Sequence, residues 1–400
     1  MGVEVHNFGC RLNIAEGEAI RLAAGDAGAL TVINSCAVTN EAVQKARQAI
    51  RRAARARPDA RIVVTGCAAQ IEPARFAAMP EVSAVIGNRE KRSAVSYFGS
   101  GEVGDIFTPA PLLAPVVSGR DHARAFVEVQ TGCDHRCTFC IIPFGRGNSA
   151  SAPASAVVEA IRSAVERGQQ EVILTGVDLT GYEGGLGVLV QTILRQVPDL
   201  PRLRLSSLDP VEVDPLLFDL LVNEPRMMPH IHLSLQAGDD MILKRMKRRH
   251  SRAQAVDLVA QLKAARPDIA IGADIIAGFP TEDDAMFANG LTLVADCDIV
   301  FGHIFPFSPR QGTPAARMPQ VPPEIAKARA AKLRAAVSVR KADWLRSMVG
   351  SSQTILVERD GISGHAENFA SVVCRPARPG SIATVHIAAT DGERLLESPE

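Results

Sequence analysis

The 400-residue sequence predicts an α/β protein in three parts. An amino-terminal doubly wound α/β domain takes about residues 1–110, a partial (βα)6 barrel 120–345, and a small all-β module 346–400. Three observations carry this. Apolar runs of strand length alternate with helix-length stretches over the first hundred residues and again from 125 to about 310, and such alternation builds parallel sheets. After about 350 the rhythm becomes short alternating segments punctuated by Gly361, Gly364 and Gly380, as in small all-β folds. Cysteines recur just past strand ends, on the edge where open α/β sheets place their ligands.

Composition bounds the function. With 46% apolar and 22% charged residues, the chain suits a globular protein with a sizeable core. No apolar run has the length of a membrane span, and the first residues lack the charged-then-apolar pattern of a signal peptide. No membrane role is expected, and the eight cysteines read as reduced thiols of a cytoplasmic protein. The 44 basic residues balance 44 acidic ones, which neither announces nor excludes a nucleic-acid partner. Two basic patches stand out: Lys45, Arg47, Arg51, Arg52, Arg55 and Arg57, and the run Lys244-Arg-Met-Lys-Arg-Arg-His250. Each alone is more often a solvated helix face than a binding surface.

Strands are expected at Val3–Phe8, Leu30–Asn34, Arg61–Thr65 and Ala84–Ile86, with helices near 15–25, 40–57 and 69–78. The first three strands run into Cys10, Cys36 and Cys67. One such thiol would read as a small core residue. Three at equivalent positions on one sheet edge read as ligands, and as three thiols they leave a metal position open. Residues about 100–124, with Thr108-Pro-Ala-Pro111 and Val117-Ser-Gly-Arg120, read as a linker.

Six further strands are expected at Ala125–Gln130, Glu171–Thr175, Arg202–Ser206, His230–Leu235, Ile269–Ile276 and Ile299–Phe305. Helices near 153–168, 186–197, 214–223, 239–265 and 282–295 separate them. Six βα units suit a partial barrel, whose reactive groups gather at the carboxyl ends of the strands. Polar residues stand there: Asp178, Ser207, Ser234, Gln236 and, beyond them, Arg249. A basic helix over 322–349 leads to tail strands at Thr354–Glu358, Ser371–Cys374 and Ala383–Ile387. Cys297 and Cys374 are isolated and read as packing residues.

The densest chemistry follows the first barrel strand. Cys133, Cys137 and Cys140 are spaced Cys-x3-Cys-x2-Cys in one loop. Soft thiolates at such spacing wrap a metal site. Structural zinc closes with four ligands, often as two CxxC pairs, and no fourth ligand stands at a finger-like spacing here. A [4Fe–4S] cluster on three thiolates, with one iron open to a further ligand, fits better than zinc or a buried thiol group.

This spacing resembles the radical S-adenosylmethionine (SAM) superfamily. With both triads, the chain is similar over nearly its whole length to the superfamily's methylthiotransferase branch. The stretches that carry the resemblance begin with Gly9-Cys10-Arg-Leu-Asn13, Ile33-Asn-Ser-Cys36-Ala-Val-Thr39, Thr65-Gly-Cys67-Ala-Ala-Gln70 and Gly132 to Gly147. Later ones are Leu205-Ser-Ser-Leu-Asp-Pro210, His232-Leu-Ser-Leu-Gln236, Asp274-Ile-Ile-Ala-Gly-Phe-Pro280 and Pro306-Phe-Ser-Pro-Arg-Gln-Gly-Thr313. Within the family, the wording around Cys10, Arg47–Arg52 and Lys244–His250 is most like the subgroup that modifies N6-threonylcarbamoyladenosine.

The resemblance implies a methylthiotransferase domain, a radical SAM barrel and a TRAM-like RNA-binding module. It implies two [4Fe–4S] clusters and S-adenosyl-L-methionine as cofactors, one cluster on Cys133, Cys137 and Cys140 and one on Cys10, Cys36 and Cys67. The first would cleave SAM to a radical that attacks an adenine C–H; the second would hold the sulfur to be inserted. Asp178, Ser207, Ser234, Gln236 and Arg249 become candidate SAM contacts, while Gly278 and Pro280 shape a loop. The implied partners are the tRNA anticodon loop, an electron donor such as a flavodoxin or ferredoxin, and a sulfur donor. Sister enzymes act on N6-isopentenyladenosine or on a ribosomal-protein aspartate, and a non-catalytic iron–sulfur RNA-binding sensor is the alternative of another class. Two departures stand out: Ser35 where relatives commonly have Thr, and Ala150 where they usually carry Arg.

Overall fold

The computed structural model describes residues 2–25, 27–112, 114–118 and 122–398. Its first layer is a parallel sheet in which β1 (Val3–Asn7), β2 (Leu30–Ser35), β3 (Arg61–Gly66) and β4 (Ala84–Val85) lie in sequential order. Helix α1 (Arg11–Ala23) starts directly after Cys10, earlier than the expected 15, and α2 (Asn40–Ala56) is capped by the Thr39 side chain. Helices cover both faces: Ile20 of α1 packs with Val32 and Val63, and Val43, Ala46 and Ile50 of α2 pack with Ile33, Ile62 and Val64. The helix expected over 69–78 is two, α3 (Cys67–Ile71) and α4 (Pro73–Ala77), because Pro73 lacks the N–H a continuous helix needs.

All six expected barrel strands form. After β5 (Val117–Ser118) come β6 (Ala125–Glu128), β7 (Gln130–Thr131), α5 (Ile142–Arg146) and β8 (Ala150–Ser151). Then α6 (Ala154–Glu166), β9 (Glu171–Thr175), α7 (Leu186–Gln196), β10 (Arg202–Leu205), α8 (Pro215–Asn223) and β11 (His230–Gln236) alternate. The series closes with α9 (Asp240–Met246), α10 (Arg252–Ala265), β12 (Ala270–Ala277), α11 (Asp284–Asp296) and β13 (Ile299–Pro306). Strands β6, β9 and β10 pair in parallel, as do β11, β12 and β13. The two runs are stitched through Leu208, whose N–H donates to His232 O at 2.8 Å and whose carbonyl accepts from Ser234 N at 2.9 Å. Val127, Val172, Leu174 and Leu203 pack outward with Ile161, Leu189 and Ile193 of the helices. The strand period of two turns Phe126, Ile173, Arg204, His232 and Asp274 the other way, into the lumen.

Part of the stretch read as a linker is structural. Arg89 donates to Ile106 O, and Val117–Ser118 pairs antiparallel with β6; the expected linker residues at 113 and 119–121 lie outside the described residues. Helix α1 lies along this edge: Ala15 packs with Val116, Phe126 and Ile173. One helix therefore serves the amino-terminal sheet on one side and the barrel on the other. The helix expected over 239–265 is broken at Lys247, which takes a left-handed conformation, and α10 restarts on a capping box of Ser251 and Gln254.

Helix α12 (Pro323–Arg346) leads to β14 (Ser352–Val357), β15 (Ser363–Ala366), β16 (Ser371–Val373), β17 (Ile382–Thr390) and β18 (Leu395–Glu397), a closed barrel in the order β14-β15-β16-β18-β17. It docks on the amino ends of the large barrel's strands through a buried charge network. Glu171 takes Arg124 at 2.7 Å and Arg204 at 2.9 Å; Arg124 also takes Glu358 at 2.6 Å, and Arg204 donates to the carbonyls of Ala366 and Glu367. Phe369, at a left-handed φ of 70°, stacks on His230 and His365 beneath the guanidinium of Arg204. Its ring closes the lumen from below.

This docking is expected to be acid-sensitive. Burial raises the Glu358 carboxyl, but the His365 and Arg124 contacts win and bring it down to about 2. A depressed carboxyl stabilises above its unfolded value and loses that contribution as pH falls through its folded value. His365 belongs to the module itself, so only the Arg124 part of this depression crosses the docking surface, and docking is expected to weaken as pH falls from about 4.5 toward 2 by on the order of 1 kcal/mol. Urea titration of the module's release should show this slope, and Glu358→Gln should flatten it; an unchanged slope rules the contact out as its source. Among the described residues no helix is long and apolar enough to cross a membrane.

Candidate active site

The cysteine loop leaves the barrel at β7 and is held on three sides. Cys133 N donates to Gly147 O, Arg136 donates to Cys133 O at 2.7 Å and to Asn148 Oδ1, and Thr138 bonds the carbonyls of Met246 and Arg245 at the end of α9. Cys133, Cys137 and Cys140 are all half-buried. His135 N points at Cys133 Sγ (3.3 Å) and the Arg248 guanidinium at Cys137 Sγ (3.7 Å). Burial pushes the Cys140 thiol up to about 12, with Arg248 opposing. Burial and then Asp178 push Cys133 up as well.

Around this loop the rim is charged. Asp178 Oδ2 lies 3.1 Å from His135 Nε2 and 3.5 Å from Cys133 Sγ. Arg249 bonds Glu212 at 2.6 Å and reaches Asp209 at 3.4 Å. Arg248 bonds Asp209 Oδ2 and Ser234 O, each at 2.8 Å. Of the five candidate SAM contacts, Asp178 thus touches the loop directly and Ser234 through Arg248. Arg249 belongs to the same rim but is engaged by carboxylates. Gln236 ends β11 at a left-handed φ of 67°, the kind of backbone outlier that gathers at functional sites, and Ser207 lies on the turn after β10.

The second triad forms on the amino-terminal sheet. The parallel register aligns Asn7, Asn34 and Thr65, so Cys10, Cys36 and Cys67 leave the same edge. Cys36 and Cys67 are buried and Cys10 is exposed. Burial and then Cys67 push Cys36 up to about 12. Val38 N and Asn88 Nδ2 point at the sulfurs of Cys36 and Cys67, at 3.5 and 3.6 Å.

The two triads meet. Gly145 of α5, five residues past Cys140, packs so closely on Cys67 that a Cβ there would stand 3.0 Å from Cys67 Cβ. Ile141 enters the core of the amino-terminal sheet, and Asn88 binds both Cys67 Sγ and Gly145 O. Next to Gly145, the buried Arg146 spans Glu16 with two bonds of 2.9 Å and Asn13 Oδ1 at 2.6 Å. Asn13 in turn bonds the carbonyls of Phe8 and Ser35 on the sheet edge. Lys91 bonds Glu16 at 2.7 Å, and Arg92 spans Glu128. Three cations against two carboxylates leave one positive charge beneath the triad.

Both sites fit thiolate-bound clusters. A thiolate is the metal-binding form, and burial of these cysteines disfavours it unless cations compensate. Arg248 beside one triad and the cationic surplus beneath the other supply part of that compensation, and N–H donors aimed at sulfur suit a cluster's ligands. Cys297 and Cys374 lie in apolar cores, and all eight cysteines are unpaired. Arg146, His135, Glu212 and Asn88 carry no mark of their own in the sequence, and Arg248 shows there only as part of the basic run Lys244–His250. For Arg146 a signal existed, its adjacency to Gly145 within the stretch Gly132 to Gly147. Ala150, in the place of an expected Arg, pairs with Thr131 across β7 and β8, and the cations near the loop are instead Arg136, Arg146 and Arg248.

A six-unit barrel with three thiols at its mouth defines the radical SAM class. The family described as Radical SAM superfamily matches residues 127–294, and Uncharacterized protein family UPF0004 matches residues 2–87. A radical SAM methyltransferase of Kitasatospora setae, TsrM, shares the fold with a TM-score of 0.56 at 16% identity, over 76% of this chain and 69% of that one. The Rickettsia prowazekii threonylcarbamoyladenosine tRNA methylthiotransferase MtaB is 45% identical over 92% of this chain and 90% of its own. The Thermotoga maritima protein of that name is 32% identical over 98% and 96%. A tRNA-2-methylthio-N(6)-dimethylallyladenosine synthase of Erythrobacter litoralis is 32% identical over 89% and 86%. The chain belongs to the radical SAM methylthiotransferase family. It is an enzyme that transfers a methylthio group and, as a radical SAM protein, works with a [4Fe–4S] cluster and SAM.

Proposed function

We propose that this enzyme adds a methylthio group to C2 of N6-threonylcarbamoyladenosine beside the tRNA anticodon, with two clusters. Residues 1–110 would be the methylthiotransferase domain, 120–345 the radical SAM barrel and 346–400 a TRAM-like RNA-binding module. The observation that carries the reading is the meeting of two three-thiol sites across Gly145 and Arg146 at the barrel mouth. The 45% identity to the Rickettsia prowazekii threonylcarbamoyladenosine enzyme, against 32% to the dimethylallyladenosine synthase of Erythrobacter litoralis, supports the choice of base.

Cys133, Cys137 and Cys140 would hold the SAM cluster, and Cys10, Cys36 and Cys67 the second. When bound, these groups supply one-electron cleavage of SAM and a site for the inserted sulfur. The chain's own task is placement. Asp178, beside the cysteine loop, and Ser234, tied to it through Arg248, would offer partners to SAM's ammonium and ribose hydroxyls. Arg248 holds its charge against Cys137 by bonding Asp209 and Ser234 O. Arg146 fixes the separation of the two thiol sets. Phe369 and α1 shield the floor and one flank of the lumen from water, which protects a reactive intermediate.

Arg51, Arg52 and Arg55 are exposed on α2, with no ion pair among the described residues, and suit phosphate contacts. A flavodoxin or ferredoxin would supply electrons, and a separate donor the sulfur. Mass spectrometry of tRNA nucleosides from a deletion strain tests the reading. Loss of 2-methylthio-N6-threonylcarbamoyladenosine with retention of its unthiolated precursor is expected; unchanged levels would overturn it.

A further inference from the structure

Inside the lumen, one layer below Ser234, three side chains are locked together. Strand register sets His303 opposite Asp274 and His232 opposite Gly272. Gly272 is needed there, since a Cβ would lie 2.4 Å from His232 Nδ1. With that space the His232 ring lies against His303, centroids 4.5 Å apart, and reaches Asp274 Oδ1 with Nε2 at 3.1 Å. His303 Nδ1 meets the same oxygen at 3.1 Å. With Nδ1–H on Asp274, the Nε2 lone pair of His303 is left over, and its side chain is 61% exposed.

A cation stands nearby. Arg11 directly follows Cys10, and its guanidinium lies over the Phe369 ring, 5.4 Å from the centroid. It senses Arg124, Glu171 and Asp274 electrostatically. Among the described residues it makes no hydrogen bond or ion pair, unlike Arg124 and Arg204, which share Glu171. A half-buried guanidinium without a carboxylate partner is a receptor for one. An unpaired cation and an imidazole acceptor, both in the lumen below the candidate SAM contacts, match an appendage with one carboxylate and one hydroxyl. They offer nothing to an isopentenyl chain.

We infer that Arg11 binds the carboxylate, and His303 the hydroxyl, of the threonylcarbamoyl appendage, and that Asp274 and His232 position His303; this rests on the substrate reading above. Arg11 and His303 would then set the choice of base. A charged hydrogen bond of this kind separates matched from unmatched ligands by about 10- to 100-fold.

The test uses reconstituted enzyme and anticodon stem-loop RNAs carrying N6-threonylcarbamoyladenosine, its carboxamide, its glycyl analogue or N6-isopentenyladenosine. Kd is read by fluorescence anisotropy. Wild type is expected to bind the acid about 10- to 100-fold more tightly than the carboxamide, and Arg11→Met to bind the two alike, with iron content and melting temperature retained. His303→Phe is expected to erase the preference for threonyl over glycyl and to spare that for acid over carboxamide. Discrimination unchanged in Arg11→Met and His303→Phe would overturn the assignment while leaving the substrate reading intact. A wild type that prefers the isopentenyl RNA would overturn the substrate reading itself.

Discussion

Cys36→Ala is expected to lower the iron from about eight to about four per chain and to abolish methylthio product, while SAM is still cleaved to 5′-deoxyadenosine. Cys137→Ala should lose both activities, because its thiol belongs to the loop at the barrel mouth. The asymmetry follows from the supports that each site keeps to itself. The first loop is anchored by Gly147 O, Met246 O and Arg245 O, none of which involves the amino-terminal sheet. Cys36 stands on that sheet, with its own N–H donor from Val38. Iron analysis with chromatography of the SAM products checks both. Product from Cys36→Ala, or loss of SAM cleavage in that variant with its fold intact, would remove Cys10, Cys36 and Cys67 from the proposed division of labour.

Arg146→Met should be the most damaging single change outside the cysteines. It strips Glu16 of two bonds and Asn13 of one, in a site where neither can reach water. Breaking one partner of a buried pair costs about 3–5 kcal/mol, and the sheet edge that Asn13 braces would loosen with it. Arg146→Lys separates charge from geometry: it keeps the cation for Glu16 but cannot fork to Asn13. The expected result is a melting temperature near wild type with a fall of about tenfold in product per SAM cleaved. Calorimetry and product ratios decide; a coupling ratio equal to wild type in Arg146→Lys would show that Arg146 is structural only.

Much of this was legible in the sequence because it depends on short spacing or on strand ends. The Cys-x3-Cys-x2-Cys run needs no fold to be recognised, and Cys10, Cys36 and Cys67 each announce themselves by following an apolar strand. What stayed hidden depends on contacts between parts. Arg248 reaches Cys137 only because Lys247 breaks the helix that a continuous apolar and basic pattern implied over 239–265. The capping box of Ser251 and Gln254 was the available signal for that break. Arg146 looks like any basic residue until Glu16, 130 positions away, lies against it. Strand β15 is short and rich in small residues and β18 has only three residues, Leu395–Glu397, so closing a barrel, rather than local preference, holds them. The reading of 100–124 as a linker undervalued Val117–Ser118, whose pairing with β6 is a tertiary event.

The carboxyl-terminal module sits on the amino ends of the barrel strands, whereas the thiols stand past the carboxyl ends. The eight residues of β12 span about 26 Å between those two levels. On the proposed assignment, an RNA gripped by the module is held at the opposite end of the barrel from the mouth through which the base enters. The enzyme then works as a caliper, its jaws the module and the barrel mouth. Only an RNA whose folded body bridges that gap presents the right adenosine, so the length of the substrate is measured before its chemistry is read.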